Sequence, residues 1–503
     1  MLKNVGSNWI VSGVTLVAVY FLTPYAIHKL GDDAYGTWNL IVAITGYLGL
    51  LVLGVPMASV RYFAQHVARG DVSKLNEAIG SCTMLYLLLG GIALVIGVGL
   101  YAFFTLTYHI PPGLHADAQS AFFLMVLFVS VGFIALLPNG ILAAHDDFVP
   151  RNIVRLWGVL LRLGLTIGLL ALRASLTVLA VVQLACMAFD FGLCWLLVRR
   201  RYPATRFRLA DFDWATTRGI FAFSVYVLIL NAGARLSFET DSLVIGGFMN
   251  VGSIPFFTVA NSFIIYLMEF LIAIAAVVMP TATRLQTQGK TAELRAIFLK
   301  WSKIALSLTL APALFLIVLG PRFIAWWIDP TFENPAGQVL QILMVSYIIF
   351  LPMRGVALPI LMGLGKAGVP TIGFLVTGGL NLALSILLVR PLGLAGVALG
   401  TAIPNVLYAV LILGQACREL DVSVVEFVRY VVPRALLGSL PILALLLWFK
   451  LGLDVHSLVE LVGAGVAMVV LFCVIWVLFV CRNDPHIDLR SWLLPRLRAW
   501  GRT

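Results

Sequence analysis

The chain has 503 residues, of which 61% are hydrophobic and only 11% are charged, and its mean hydropathy is +1.01. Soluble globular domains carry about 25% charged residues, so this composition excludes a soluble globular protein. We attribute the formal net charge of +11 to cytoplasmic loops rather than to nucleic-acid binding. We therefore predict an all-α membrane protein that crosses the bilayer many times.

Apolar runs of about 20 residues, long enough for transmembrane helices rather than barrel strands, recur along the whole chain. The first run begins at Trp9 and is too long for a signal-peptide core, so we interpret it as a retained span. The sequence predicts about fourteen spans, at residues 9–28, 37–57, 78–104, 120–142, 153–173, 175–198, 219–247, 255–281, 297–320, 338–362, 369–389, 396–417, 433–450 and 457–481. An even number places both termini on the same side of the membrane.

The distribution of basic residues predicts which side this is. With these spans, 26 of the 34 Lys and Arg residues fall on the side of the N-terminus, 5 on the opposite side and 3 within spans. Cytoplasmic loops concentrate positive charge, so we predict that both termini are cytoplasmic. The longest inner loop, residues 199–218, carries six arginines. Two interpretations of this loop stay open, an anchor on acidic lipid head groups and a contact for the substrate.

Three weak sequence matches recur in the same order with an offset of six helices. They pair residues 70–75 with 289–294, 137–140 with 351–355, and 149–150 with 369–370. This order suggests a duplication of six spans. We therefore predict an N-terminal six-helix lobe (1–198), a basic cytoplasmic linker (199–218), a C-terminal six-helix lobe (219–417), an extra helix pair (433–481) and a cytoplasmic tail (482–503).

The soluble segments contain no recognisable catalytic or metal-binding motif. Neither a Ser nucleophile elbow nor a Gly-rich phosphate loop is present, and no cysteine pair has the spacing of zinc ligands. We interpret the cysteines as small hydrophobic residues; they are Cys82, Cys186, Cys194, Cys417, Cys473 and Cys481. We predict a protein that is not an enzyme and that holds no metal or cofactor.

The seventh predicted span carries polar residues on one face. Asn231, Arg235 and Glu239 recur every four residues and therefore share a side of the helix. Ionised groups at membrane depth usually face a bundle interior or a wet cavity, so we expect this helix to line an aqueous cavity. The alternative is that Arg235 and Glu239 form a structural ion pair. Asp241 lies at a different angle and is interpreted as a cap on the outer end of the helix.

Further charged residues lie within or at the ends of other spans. Arg162 is central in the fifth span, on a stripe with Arg155, Gly158 and Thr166, and Arg354 lies in the tenth span. Arg61 ends the second span. Three intramembrane arginines with Arg61 suit an anionic ligand, because a guanidinium binds phosphate through a planar fork of donors. The alternative is that each arginine pairs with an acid and only holds helices together.

The acids themselves offer a second kind of site. Glu269, near the centre of the eighth span, is our best candidate for binding a coupling H⁺ or Na⁺ ion, since no basic residue is its neighbour in sequence. The other candidates, as coupling-ion or pairing acids, are Glu239, Asp241 and Asp190.

Several segments together resemble one known family. They are LGDDAYGTW at 30–38, GLLVLGVPMASVR at 49–61, DSLVIG at 241–246, NLALS at 381–385 and LGLAGVALGT at 392–401. In order and spacing they are similar to the Wzx-type flippases of bacterial polysaccharide assembly. These belong to the multidrug/oligosaccharidyl-lipid/polysaccharide (MOP) exporter superfamily. The resemblance covers nearly the whole chain and includes the two six-helix lobes.

The resemblance implies two lobes around a central cavity that opens alternately inward and outward. It implies transport of a polyprenyl diphosphate carrying an oligosaccharide repeat unit across the bacterial cytoplasmic (inner) membrane, with the lipid tail in a hydrophobic groove. By similarity, Arg235, Arg162, Arg354 and Arg61 would meet the diphosphate or acidic sugars. Membrane lipids and proteins that polymerise or ligate polysaccharide are the implied partners.

Two departures and two alternatives stand beside this resemblance. The first helix lacks the arginines of lipid II flippases, with only His28 and Lys29 at its outer end, which argues against a peptidoglycan precursor. It also lacks the acid found in that helix of related drug exporters, although Glu269 is a candidate for the equivalent acid of the second lobe. A cation-coupled multidrug antiporter is the first alternative function. A scaffold for a polysaccharide synthase complex that transports nothing is the second.

Overall fold

A computed structural model describes residues 2–52, 54–221, 224, 233, 235, 236, 239–482 and 484–487. Every regular element in these ranges is helical, which confirms the predicted all-α membrane class. The chain divides into two compact units, Met1–Pro255 and Phe256–Thr503. The predicted lobe and linker boundaries stay a prediction.

The first unit holds eight of the helices that the structure describes. They are α1 (Leu2–Leu30), α2 (Asp32–Leu48), α3 (Val55–Arg69), α4 (Val72–Thr107), α5 (His115–Ala144), α6 (Phe148–Leu172), α7 (Leu176–Arg201) and the short α8 (Asp241–Phe248). Helix α5 packs against α4 and α7, and α6 packs against α1 and α7. Two apolar stripes of α7 are therefore buried by different neighbours.

Helix α9 (Ile254–Thr287) begins at the boundary of the two units. The second unit continues with α10 (Thr291–Val318), α11 (Gly320–Trp327), α12 (Glu333–Pro352), α13 (Leu358–Gly363), α14 (Gly368–Glu419), α15 (Val424–Leu451) and α16 (Leu458–Ile475). Short π-helical segments follow α12 at Met353–Ala357 and α16 at Trp476–Val480. Helix α10 packs against α12 and α15, and α12 packs against α14.

Among the described residues, twelve helices are long and apolar enough to cross a membrane. Two differences from the fourteen predicted spans account for this number. Thirteen of the 29 residues of the seventh span, including Asn231, lie outside the described residues. The eleventh and twelfth spans lie in the single element α14, which is interrupted at Gly393, where φ is +56° and ψ is −134°.

The interruption in α14 is a tight reversal that depends on glycine. Only glycine adopts the backbone angles of Gly393 readily, and a side chain on Gly396 would overlap the carbonyl oxygen of Leu388. The two halves then lie side by side, since the Asn381 amide donates to the Thr401 hydroxyl at 2.9 Å. Both halves thus form a hairpin of spans, as the sequence predicted.

One partly buried polar contact ties the N-terminal ends of α5 and α7 together. The Asp117 carboxylate of α5 accepts hydrogen bonds from the hydroxyls of Ser175 and Thr177, each at 2.6 Å. It also accepts from the backbone N–H groups of Leu176 at 2.6 Å and Thr177 at 3.0 Å. An acid at this position satisfies amides that have no partner inside a helix and complements the helix dipole.

The basic segment between α7 and the seventh predicted span lies against the start of α4. The Asn76 side chain donates to the carbonyl of Ala204 at 3.1 Å and accepts from the N–H of Arg206 at 2.8 Å. A Cβ on Gly80 would stand 2.8 Å from the carbonyl oxygen of Arg208. The Asn76 hydrogen bonds therefore attach this six-arginine segment to α4, and the absence of a side chain at Gly80 permits the close approach.

Candidate functional site

Two neighbouring cavities open between helices of the first unit. A cavity of about 190 Å³ lies between α1, α2, α6 and α7, and one of about 490 Å³ lies between α1, α5, α6 and α7. Thr15, Val159, Arg162 and Gln183 line both of them. The larger one, which we call the arginine cavity, is also lined by Arg155, Gly158, Asn139, Cys186 and Asp190.

Arg155 and Arg162 put two positive charges in the arginine cavity. They lie seven residues apart on α6, two helical turns, so both face the same side. Each side chain stays accessible although its helix is packed on two sides. Neither arginine forms an ion pair with a residue in the described ranges. Two uncompensated guanidinium groups in a transmembrane helix are costly unless water or an anionic ligand occupies the cavity.

Asp190 of α7 supplies the negative charge that lines this cavity. Its Oδ1 is buried and has no hydrogen-bond partner among the described residues. The carboxyl group lies against α6 at Gly158, where a Cβ would stand 2.6 Å from Oδ1. Arg155 is the arginine whose charge acts on Asp190, while Cys186 lies within the fields of both Arg162 and Asp190. The carboxylate is thus near the arginines without bonding to either.

Arg235 lies elsewhere in the first unit and is paired. Its guanidinium forms a hydrogen-bonded ion pair with Glu239, one helical turn away. The Tyr47 hydroxyl donates to the backbone carbonyl of Arg235 at 3.5 Å. This is the structural pair that the sequence left open as an alternative. A ligand-binding role for Arg235 stays a prediction, since both side chains of the pair remain partly exposed.

The position of Arg235 depends on a glycine of α2. A Cβ on Gly46 would stand 2.8 Å from Arg235 Nη1 and 3.5 Å from Glu239 Oε2. We expect Gly46→Ala to displace the guanidinium from Glu239 and to lower the free energy of unfolding in mixed detergent–SDS micelles by about 1 kcal/mol, a loss that should disappear in an Arg235→Ala background. Gly49→Ala is the matched control, because its Cβ would make only an ordinary contact of 3.8 Å with Arg235. Equal free energies of unfolding for Gly46→Ala and Gly49→Ala would contradict this contact.

Arg354 belongs to the second unit and lies among aromatic rings. Its guanidinium carbon is 5.9 Å from the ring centroid of Phe350 and 5.6 Å from that of Phe374. These distances fit cation–π contacts. The residue sits on the π-helical segment after α12, a distortion that is frequent at functional sites. Glu269 of α9 is exposed and its charge acts on Arg354.

The structure therefore separates the predicted site residues into groups. Arg162 and Asp190 line one cavity, Arg235 and Glu239 form a pair, and Arg354 lies within the field of Glu269. Arg61 has an exposed side chain on α3, and Asp241 is buried at the first residue of α8. No ligand role of these residues is tested by their positions.

Polar residues of the cavity that the sequence analysis missed are Gln183 and Asn139. Gln183 lies seven residues before Asp190, so both fall on one face of α7. Asn139 follows Pro138 in α5 and accepts a hydrogen bond from the Cys194 thiol at 3.6 Å. A search for polar residues at helical spacing in α7 would have found Gln183. Nothing in the sequence pairs Asn139 with α7.

An anchored connection closes the end of this helix group at which α6 begins and α7 ends. Asp147, just before α6, accepts hydrogen bonds from Arg201 at 2.9 Å and from the Tyr202 hydroxyl at 2.5 Å. Burial, followed by this hydrogen bond to Asp147, raises the pKa of Tyr202 to about 12. Further along, hydrogen bonds from Thr216 hold the pKa of Asp213 below its usual range. Both groups keep their ordinary charge near neutral pH.

The comparisons with known proteins give one family for this chain. The family model described as "Polysaccharide biosynthesis protein" matches residues 1–286. A curated relative, the "Uncharacterized membrane protein EpsK" of Bacillus subtilis (strain 168), is 21% identical over 492 residues, covering 95% of this chain and 94% of its own.

Two solved structures share the fold. One is the lipid II flippase MurJ in an inward closed conformation, with a TM-score of 0.69 and 14% identity over 93% of this chain and 98% of its own. Another is a multidrug resistance MATE family transporter of the MOP superfamily in an inward-facing conformation. Its TM-score is 0.67, with 17% identity over 80% of this chain and 94% of its own. At these identities the likeness establishes the fold and nothing about the substrate.

Proposed function

Because the chain belongs to the polysaccharide biosynthesis protein family of the MOP superfamily, we propose that it is a flippase for lipid-linked oligosaccharides. It moves polyprenyl-diphosphate-linked repeat units from the inner to the outer leaflet of the bacterial cytoplasmic membrane. The units then serve the assembly of cell-surface or exopolysaccharide. Alternating access of the cavity to the two leaflets is the proposed mechanism.

One observation carries this proposal. Arg155 and Arg162 line a cavity of about 490 Å³ inside a transmembrane helix group and have no ion-pair partner among the described residues. A diphosphate offers two adjacent anionic groups, and two guanidinium forks on one helix face can each bind one of them. The desolvation cost of the arginines is offset when the anion enters, so an anionic head group is the ligand that the cavity favours.

The further roles extend the same chemistry. Arg162, Arg235, Arg354 and Arg61 bind the diphosphate or acidic sugars along the route, and the lipid tail stays in contact with the membrane. Glu269, with Glu239, Asp241 and Asp190, is a candidate for coupling transport to H⁺ or Na⁺. No catalytic step is part of this proposal. Both termini lie in the cytoplasm, and proteins that polymerise or ligate polysaccharide are the partners that the family implies.

A cation-coupled multidrug antiporter is the alternative function. The fold shared with a MATE family transporter favours it. The charge of the arginine cavity disfavours it, because two arginines and one aspartate leave a positive site that repels cationic drugs.

A transport assay with the purified full-length chain separates these functions. Proteoliposomes would contain a fluorescent polyprenyl-diphosphate oligosaccharide, and its movement would be followed by a membrane-impermeant quencher. We expect flipping well above that of empty liposomes, and equal flipping by Arg206→Ala, whose exposed side chain lies outside the cavity. Expulsion of a cationic dye against a proton gradient, without lipid flipping, would establish the antiporter instead. If the chain shows neither lipid flipping nor dye expulsion, the scaffold is the function that remains.

A further inference from the structure

Asp190 is the one acidic residue that lines the arginine cavity in the described part of the chain. A structural ion pair would be expected to bring its carboxylate within 4 Å of an arginine, but Asp190 forms no such pair. Arg201 and Asp147, in the same unit, show that arginine–carboxylate bonds form here where they are needed for structure. The separation of Asp190 from Arg155 and Arg162 therefore calls for a different explanation from that of a helix-to-helix bond.

Gly158 explains why the Asp190 carboxylate lies apart from the two arginines. Because Gly158 has no side chain, the Asp190 carboxyl group fits against the backbone of α6, with Oδ1 sequestered there. The group is held beside the arginines by packing rather than by a bond. Its negative charge still acts on Arg155, and Cys186 lies in the fields of both Asp190 and Arg162.

The fixed negative charge of Asp190 repels an anion that enters the cavity. Two arginines inside a cavity bind a diphosphate strongly, and a transporter must also let its ligand go. A carboxylate in the same cavity repels the anion while it is bound and partly compensates the arginines after it leaves. Both effects weaken binding and speed dissociation.

We propose that Asp190 is a release residue, a fixed internal counter-charge that keeps the arginine cavity from trapping its anionic ligand. This inference rests on the proposed function for the identity of the ligand. It assigns Asp190 to the affinity of the site rather than to the holding together of α6 and α7. It also assigns Gly158 as the positioning residue that sets the distance of the carboxylate from the ligand.

Binding of inorganic diphosphate to the purified full-length chain in nanodiscs tests this role. We expect Asp190→Asn, which keeps the shape and removes the charge, to bind diphosphate about tenfold more tightly and to release it about tenfold more slowly. Asp190→Glu should stay within about threefold of the wild type. Glu77→Gln, which removes a partly exposed acid paired with Lys74 on α4 and outside the arginine cavity, controls for the change in net charge.

Gly158→Ala gives a second, opposite test. The new Cβ would stand 2.6 Å from Oδ1 and would push the carboxylate into the cavity, towards the ligand. We expect diphosphate to bind severalfold more weakly. Opposite shifts in Gly158→Ala and Asp190→Asn support the charge effect, whereas shifts in the same direction indicate disturbed packing and overturn the proposal. Unchanged or weaker binding by Asp190→Asn overturns it as well.

The outcomes also separate this inference from the proposed function. If diphosphate binds with the expected shifts but the wild type flips no lipid-linked oligosaccharide, Asp190 keeps its role and the transport substrate is wrong. If the lipid is flipped but Asp190→Asn releases diphosphate as fast as the wild type, the flippase stands and the release role falls. If neither the wild type nor Asp190→Asn binds diphosphate, both the anion site and the release role of Asp190 are wrong.

Discussion

Arg162→Ala is expected to lower flipping of a polyprenyl-diphosphate oligosaccharide by about ten- to a hundredfold. Arg162 is the charged residue that lines both cavities of the first unit, so it meets an anion at either position. Loss of one charge-assisted hydrogen bond from a desolvated site costs about 1.5–3 kcal/mol, which corresponds to this range. Initial flipping rates in proteoliposomes with equal amounts of folded protein are the measurement.

Two further variants make this result specific. Arg162→Lys keeps the charge but loses the planar fork, so we expect an intermediate rate. Arg173→Ala removes an exposed arginine at the C-terminal end of the same helix, and should flip at the wild-type rate. If Arg162→Ala flips the lipid as fast as Arg173→Ala, the anion does not pass the arginine cavity. The two cavity arginines then no longer support the proposed function.

Asp484→Ala is expected to destabilise the second unit by about 3–5 kcal/mol. The Asp484 carboxylate accepts hydrogen bonds from Lys303 Nζ of α10 at 2.5 Å and from the Tyr430 hydroxyl of α15 at 2.6 Å. The side chains of Lys303 and Asp484 are 1% and 0% exposed. Removal of the carboxylate leaves the Lys303 charge buried and unpaired, which is why the loss is large. Unfolding in mixed detergent–SDS micelles measures it.

The control pair lies on the surface at the start of α10, the helix that carries Lys303. Lys290 and Glu293 form an exposed ion pair at 3.0 Å, so Glu293→Ala should cost less than about 1 kcal/mol. The double variant Lys303→Met with Asp484→Leu should recover much of the stability, because no charge is then left buried. A double variant as unstable as Asp484→Ala would show that packing, rather than an unpaired charge, causes the loss.

The same carboxylate predicts a dependence on pH. Burial alone would raise the pKa of Asp484, but the hydrogen bonds from Lys303, Tyr430 and the backbone outweigh it and hold this pKa below its usual range. Its contribution to stability is therefore complete above the unfolded pKa of about 3.9 and is lost as the pH falls through the lowered value. In the Asp484→Ala variant this acid-dependent loss should be absent.

The transmembrane helices could be predicted from the sequence because their signal is local. A run of about 20 apolar residues spans the membrane whatever its neighbours are, and twelve helices in the described part of the chain are long and apolar enough to do so. The pairing of Arg235 with Glu239 was also within reach, as residues four apart on a helix are always neighbours. The sequence alone could not decide whether this pair is purely structural or also lines an aqueous cavity.

The cavity and the buried ion pair needed the tertiary structure. Arg162 and Asp190 were both recognised as unusual for a membrane segment, but their common cavity depends on how α6 packs against α7. Asp484 and Lys303 lie 181 residues apart, and the sequence placed them in a cytoplasmic tail and at the inner end of a span. The cost of a charge in an apolar segment can be read from the sequence. Its partner is set by helix packing, which no local pattern specifies.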